Sequence, residues 1–208
     1  MYTPKFNQVT DRNLLIETMR SNSFAILFGP LVSSENGGAS TATHLPLVVK
    51  DEGAHGLLEG HFAKANGHWQ ALAGRETLVV FPGPHSYVSP ILYAEQLSVP
   101  TWNYIAIHAY GTLQVIEDEA EKSLLLAGLI DANDPGYAEQ WRGLPDGFRR
   151  SMLAGIVGFR IQIERIEGKF KLSQNRPEQD RQNVFATHSA GTTDQQALAS
   201  WMHRLMGC

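Results

Sequence analysis

From Trp102 to Ile116 the side chains alternate in character. Ile105, Ile107 and Ala109 share one face of an extended strand, while Tyr104, Ala106, His108, Tyr110 and Thr112 share the other. Such a strand packs a core with one side and meets something polar with the other. A second alternation runs from Ile156 to Ile163, with Val157, Phe159, Ile161 and Ile163 set against Gly158, Arg160, Gln162 and Glu164. Its continuation, Ile166 to Leu172, contains Gly168, which predicts a bulge or a turn there. Shorter runs rich in β-branched and aromatic residues predict strands at Thr43 to Lys50, Gly56 to Ala63 and Thr77 to Phe81. Phe24 to Phe28 is a short apolar run closed by Gly29-Pro30, which suits a buried strand better than a helix.

Helical spacing appears at the two ends and once in the middle. Leu14, Leu15, Thr18 and Met19 form one side of a segment from Asp11 to Arg20. An acidic first turn followed by Leu124, Leu125, Ala127, Gly128 and Leu129 predicts a helix over Asp118 to Asp131. Gly147 to Leu153 reads as a further short helix, and the chain from Pro177 onward reads as a helix followed by a linker at Ser189 to Thr193. The last helix, Asp194 to Met206, carries Leu198, Trp201, Met202 and Leu205 on one face and needs a surface to cover, on its own domain or on a partner subunit. The pattern as a whole predicts an α+β fold with an antiparallel sheet closed into a barrel and peripheral helices. The expected organisation is one domain over residues 1–188 and a linker plus amphipathic helix over 189–208.

Composition narrows the function classes. At 208 residues, 43% hydrophobic and 18% charged, the chain can bury a full core without disulfides or a structural metal. Its single cysteine, Cys208, is expected to be a reduced thiol. Seventeen basic residues against twenty-one acidic ones leave a net charge of −4, so charge does not support a broad nucleic-acid-binding surface, and DNA contact would have to be local or indirect. No apolar run reaches the roughly 18 residues a membrane span requires, and Met1 to Thr10 lacks the layout of a signal peptide, so the expected location is the cytoplasm.

Common catalytic signatures do not occur. There is no P-loop, no G-x-G-x-x-G after a strand, no H-E-x-x-H and no G-x-S-x-G, and the eight histidines do not fall at metal-ligand spacing, so neither a catalytic residue nor a metal is assigned. Polar and aromatic residues instead gather at strand ends: Thr43-His44, His61 with Lys64 and Asn66, His85 to Pro90, Thr101-Trp102-Asn103, and Lys171 to Arg176. A flat, phosphorylated cofactor needs a cation and hydroxyls for its phosphate, hydrogen-bonding groups for the ring edge and an apolar wall for the ring face, and these segments supply all three. The same residues also suit structural duties: Asn and His capping turns, Trp69 and Trp102 in the core, Lys64 and Arg176 in solvent.

The ordered blocks Thr43-His44-Leu45-Pro46-Leu47, Gly60 to Asn66, Phe81 to Pro90, Val99 to Tyr104 and Lys171 to Arg176, preceded by Met1-Tyr2-Thr3-Pro4, resemble the PaiB family up to about Arg181. The resemblance implies a split β-barrel shared with pyridoxamine-phosphate oxidase and small flavin reductases, a homodimer, and FMN in clefts between subunits. It implies phosphate contacts from Lys64, Ser89 and Arg176, ring contacts from Trp102, Asn103 and Tyr93, and edge partners in His44 and His85. His61 and Asn66 belong to the same block as Lys64, and Gln174 and Asn175 are expected to complete the cleft. Pro82 stands where the family pattern has glutamine, and Lys64 and Gly67 replace an arginine and a proline; lysine keeps the charge but loses the two-pronged grip of a guanidinium. The family label implies an FMN-binding negative transcriptional regulator. Two alternatives stand beside it: a flavin-dependent oxidoreductase, and a relative that keeps the fold without the cofactor.

Overall fold

The computed structural model describes residues 1–30 and 40–208. Among these, nine strands lie in chain order as β1 (Gln8–Val9), β2 (Phe24–Pro30), β3 (Ser40–Pro46), β4 (Val48–Lys50), β5 (Leu57–Ala63), β6 (Glu76–Val88), β7 (Thr101–Ile116), β8 (Ile156–Gln162) and β9 (Arg165–Lys171). The α-helices are α1 (Arg12–Ser21), α2 (His68–Leu72), α3 (Glu119–Asn133), α4 (Ala138–Gly143), α5 (Asp146–Ala154), α6 (Glu178–Ser189) and α7 (Thr193–Met206). The chain divides into two compact units, a larger one of Arg12–Phe81 with His108–Ile166 and a smaller one of Met1–Asp11, Pro82–Ile107 and Glu167–Cys208.

In the larger unit the strand order is β3-β2-β6-β7-β8-β5-β4. β2 pairs antiparallel with β3 and β6, and β5 with β4 and β8. Period-two alternation sends Ala25 and Leu27 of β2, Val79 and Phe81 of β6, and Ile161 of β8 into the core, all but fully buried. Each large apolar side chain removed from water in this way contributes about 1.5–3 kcal/mol. α1 buries Leu15, Ile16 and Met19, the stripe expected from its spacing, shifted to include Ile16.

The expected closed ring of strands is corrected by the pairing. β3 and β4 stand at opposite ends of the ladder, and among the described residues no pairing joins them. They are nevertheless separated in sequence by Leu47 alone, so the predicted single strand Thr43 to Lys50 is two strands serving the two ends of one sheet. Pro46, which has no N–H to give to a ladder, stands where the chain changes partner. The sheet therefore curls back on itself through a covalent corner without closing by hydrogen bonds. Gly111 serves a similar close approach: a Cβ there would lie 2.1 Å from the carbonyl oxygen of Gln162.

The smaller unit packs the second half of β6, the first half of β7, β9 and β1 with α6 and α7. Its core contains Val88, Tyr93, Ile105, Phe170, Leu172, Val184, Leu198 and Met202. α7 is held by a capping box, Thr192 accepting from the Gln195 N–H while the Gln195 side chain returns to the Thr192 N–H. Its apolar face covers this core, and Trp201 meets Phe170 edge-to-face at 5.1 Å.

Two further expectations change. β6 does not stop at Phe81 but runs through Pro82, Gly83 and Pro84 to Val88. β2 pairs only with Leu78, Val79 and Val80, so the prolines lie past that ladder, where a missing N–H is tolerated. Gly168 makes no turn; it sits within β9 opposite Val9 of β1.

Candidate functional site

In the smaller unit, β6 and β7 bring three rings together. The Trp102 indole is 52% exposed, with the His85 and Tyr87 rings each 6.1 Å from it. Trp102 is thus not a core residue. His85 also lies 3.7 Å from the Asp194 carboxylate of α7. From β9, Lys171 donates its ammonium hydrogens to the Thr101 hydroxyl and to the Trp102 carbonyl, fixing a cation to the start of β7. Burial, with Lys169 and Arg176 nearby, holds the Lys171 ammonium below the usual lysine pKa.

Just beneath this surface the chain carries a strained turn. Ser173 is a non-glycine residue with φ +67°, and its buried hydroxyl donates to Asn103 Oδ1 at 3.1 Å. Asn103 is fully buried, and its Nδ2 has no hydrogen-bond partner. The Tyr93 hydroxyl is likewise buried and unpartnered, while the Arg176 guanidinium lies 3.9 Å from the Tyr93 ring centre. Gln174 is folded back, accepting from the Leu172 N–H and donating to the Phe170 carbonyl, so both ends of its amide hold the chain. Asn175 is exposed. Ser89 caps a turn, accepting from the Ile91 N–H at 3.4 Å.

The larger unit holds the other four expected residues. His44 is exposed on β3, its ring 6.0 Å from that of Phe24. His61 stands opposite Gly158 in the β5–β8 ladder; its Nδ1 is buried without a partner, and desolvation lowers its pKa. Asn66 belongs to a compact polar knot. Its Oδ1 accepts from the His68 N–H at 3.0 Å, its Nδ2 donates to Thr43 Oγ1, and that hydroxyl meets His68 Nδ1 at 2.8 Å. His68 is 1% exposed and kept neutral-leaning by burial. Lys64 lines a cavity of about 440 Å³ with Trp69, Lys122, Arg150, Glu117 and Leu153. Sequence reasoning therefore placed eight of its candidates in the smaller unit and four in the larger.

Three residues that the structure ties into these clusters were not among the expected ones. Lys171 and Tyr87 lay inside named segments without being singled out, and His68 was overlooked although Asn66-x-His68 at a helix start is the spacing that lets an Asn side chain catch a backbone N–H.

Comparison of folds defines the class first. The chain aligns with the flavocytochrome Anf3 from Azotobacter vinelandii at a TM-score of 0.58 and 16% identity, covering 85% of this chain and 79% of that one. It aligns equally, at 0.58 and 11% identity over 86% and 95%, with conserved hypothetical protein Rv2991 from Mycobacterium tuberculosis. The shared architecture is an α+β split barrel. Residues 1–165 match the family described as "Putative FMN-binding domain". Over 187 residues the chain is 39% identical to "Protease synthase and sporulation protein PAI 2" of Bacillus subtilis, covering 89% of this chain and 87% of that protein. The chain belongs to this FMN-binding family, and the resemblance to the PaiB family is borne out.

FMN is the cofactor that membership implies, and the smaller unit fits it in kind. A half-exposed indole offers a ring face, Lys171 and Arg176 offer charge for a phosphate, and the buried, unpartnered Asn103 Nδ2 is a donor awaiting an acceptor.

Proposed function

We propose that this protein is a PaiB-like FMN-binding regulator that works as a homodimer in the cytoplasm. The observation that supports flavin binding most is the pairing of the exposed Trp102 ring with Lys171, whose ammonium is tied to the Trp102 carbonyl. In this reading Trp102 and His85 meet the ring, Asn103 and Tyr93 support it from beneath, and Ser89 and Arg176 serve the phosphate. Gln174 and Asn175 shape the turn that presents Arg176. His44, His61, Lys64 and Asn66 belong to the larger unit and lie outside this reading, with Lys64 lining a cavity of its own. Bound FMN would supply hydride or single-electron transfer, which is chemistry no side chain here provides.

A second copy of the chain is supported by an apolar sheet face. Phe24 and Phe28 of β2 are 60% and 39% exposed and share their face with Ile26, which is paired with both Val80 and His44. A self-complementary face of this kind suits a two-fold dimer.

The second reading, a flavin-dependent oxidoreductase, draws its support from charge. The only adjacent pair of arginines, Arg149-Arg150, sits on the short helix α5, and Arg149 is already paired with Asp146, so no basic recognition helix offers itself among the described residues. Purified protein that carries flavin absorption and oxidises NADH or NADPH supports the enzyme. A salt-sensitive gel shift on promoter DNA, absent on random DNA, supports the regulator. Protein that is colourless, and stays so after incubation with FMN, counts against both.

A further inference from the structure

β9 carries two lysines on one face, and their surroundings differ. Lys169 is buried; its ammonium donates to the Tyr2 carbonyl at 3.0 Å and faces the Tyr104 ring at 5.1 Å, so it serves the fold. Lys171 lies further along at the strand end and is only half-buried. Of its three donor hydrogens two go to neutral acceptors, the Thr101 hydroxyl and the Trp102 carbonyl. Among the described residues no carboxylate forms an ion pair with Lys171 or with Arg176.

Like charges crowded in a partly dehydrated place are unfavourable unless an anion joins them. Burial and the two neighbouring cations already press on Lys171 in that direction. Arg176, stacked on Tyr93, is delivered to the same end of the unit by the left-handed Ser173, which Asn103 holds in place from the residue next to Trp102. Strain of this type persists only where its surroundings over-determine it. One turn thus sets both the second cation and the residue behind the indole.

We infer that Lys171 is the phosphate-selecting residue of the flavin site, taking the cofactor's terminal phosphate on its free ammonium hydrogen with Arg176 as the second cation. The inference rests on the flavin-binding reading above and adds a specificity to it: the protein distinguishes FMN from riboflavin at Lys171, a residue outside the set expected from sequence. Thr101 and the Trp102 carbonyl aim the ammonium, and the indole face remains for the ring.

The test is a pair of fluorescence-quenching titrations, with FMN and with riboflavin, on the full chain and on Lys171→Met and Lys171→Arg. A charge-assisted bond to phosphate predicts that Lys171→Met weakens FMN by about 10- to 100-fold while riboflavin is unchanged, and that Lys171→Arg restores most of the difference. Inorganic phosphate should compete with FMN, and not with riboflavin, on the unmodified protein. Equal loss of both ligands makes Lys171 a support for the ring and overturns the inference, as does unchanged FMN affinity in a folded Lys171→Met. Phosphate competition on the unmodified protein needs no variant to fold, and its absence counts against the assignment by itself. If the unmodified protein binds neither flavin, the underlying reading has failed and this inference falls with it; if it binds both and Lys171→Met matches it, only this inference falls.

Discussion

The two units each bury a polar knot, and the knots differ in what surrounds them. In the larger unit Thr43, Asn66 and His68 bond to one another around a neutral-leaning imidazole, with Phe62 edge-on to the ring at 6.2 Å. In the smaller unit Asn103 and Ser173 bond beneath a half-exposed indole, beside cations that no carboxylate neutralises among the described residues. Both leave one buried nitrogen without a partner, His68 Nε2 and Asn103 Nδ2. An unsatisfied buried atom alone is therefore a poor guide to function. What separates the two is uncompensated charge and an open aromatic face, and those are the features a phosphorylated ring can use.

The contrast breaks most visibly in stability. His68→Ala leaves a cavity and takes the imidazole partner from the Thr43 hydroxyl, so it should cost about 2–4 kcal/mol by chemical denaturation. If the larger unit's knot is purely structural, FMN affinity in the folded fraction should not change. Trp102→Ala should do the reverse. An exposed side chain costs little stability, within about 0.5 kcal/mol, while loss of the ring face should weaken FMN by about 3- to 10-fold.

How much of this could be read from the chain alone varied with the kind of interaction. Alternation in Ile105–Ile107–Ala109 and in Phe159–Ile161 identified both long strands, because period two along a strand is a local property. The split at Leu47 was not legible, since which ladder a strand joins depends on partners far away in sequence. Pro82 and Pro84 misled for the same reason: a proline ends a strand only where a neighbour needs its N–H, and β2 has left by then. Of the proposed site, the segments around Trp102 and Arg176 stood out in the chain and Lys171 did not. Lys171 acquires its role through Thr101 and Trp102, seventy and sixty-nine residues away. Tertiary pairing of this type has no signature in a single sequence.

A finer probe of the smaller unit is the turn at Ser173. Ser173→Ala loses the bond to Asn103 and should cost about 1 kcal/mol. Ser173→Gly loses the same bond but relieves the left-handed strain, so it should be the more stable of the two by about 1 kcal/mol. Equal stabilities would mean that the positive φ carries no strain.

The smallest effect expected is on pH dependence. Burial lowers the pKa of His68 in the larger unit and of His188 in the smaller one. In the unfolded chain both protonate near the ordinary value of about 6.5. Between that pH and the lowered folded value the unfolded state binds more protons, so stability should fall as pH drops below about 6.5 and level off once the folded imidazoles also charge. His188→Phe should flatten part of that slope and leave the share due to His61 and His68, whose pKa values burial also lowers. A denaturation midpoint that is flat from pH 7 to pH 5 would show that none of these imidazoles is held neutral.

The account depends most directly on one equilibrium: FMN added to the purified, folded protein, followed by flavin fluorescence. It predicts saturable quenching that Trp102→Ala weakens and His68→Ala, in its folded fraction, does not. Fluorescence that stays at the level of free FMN across the whole titration, with the protein folded, would contradict it.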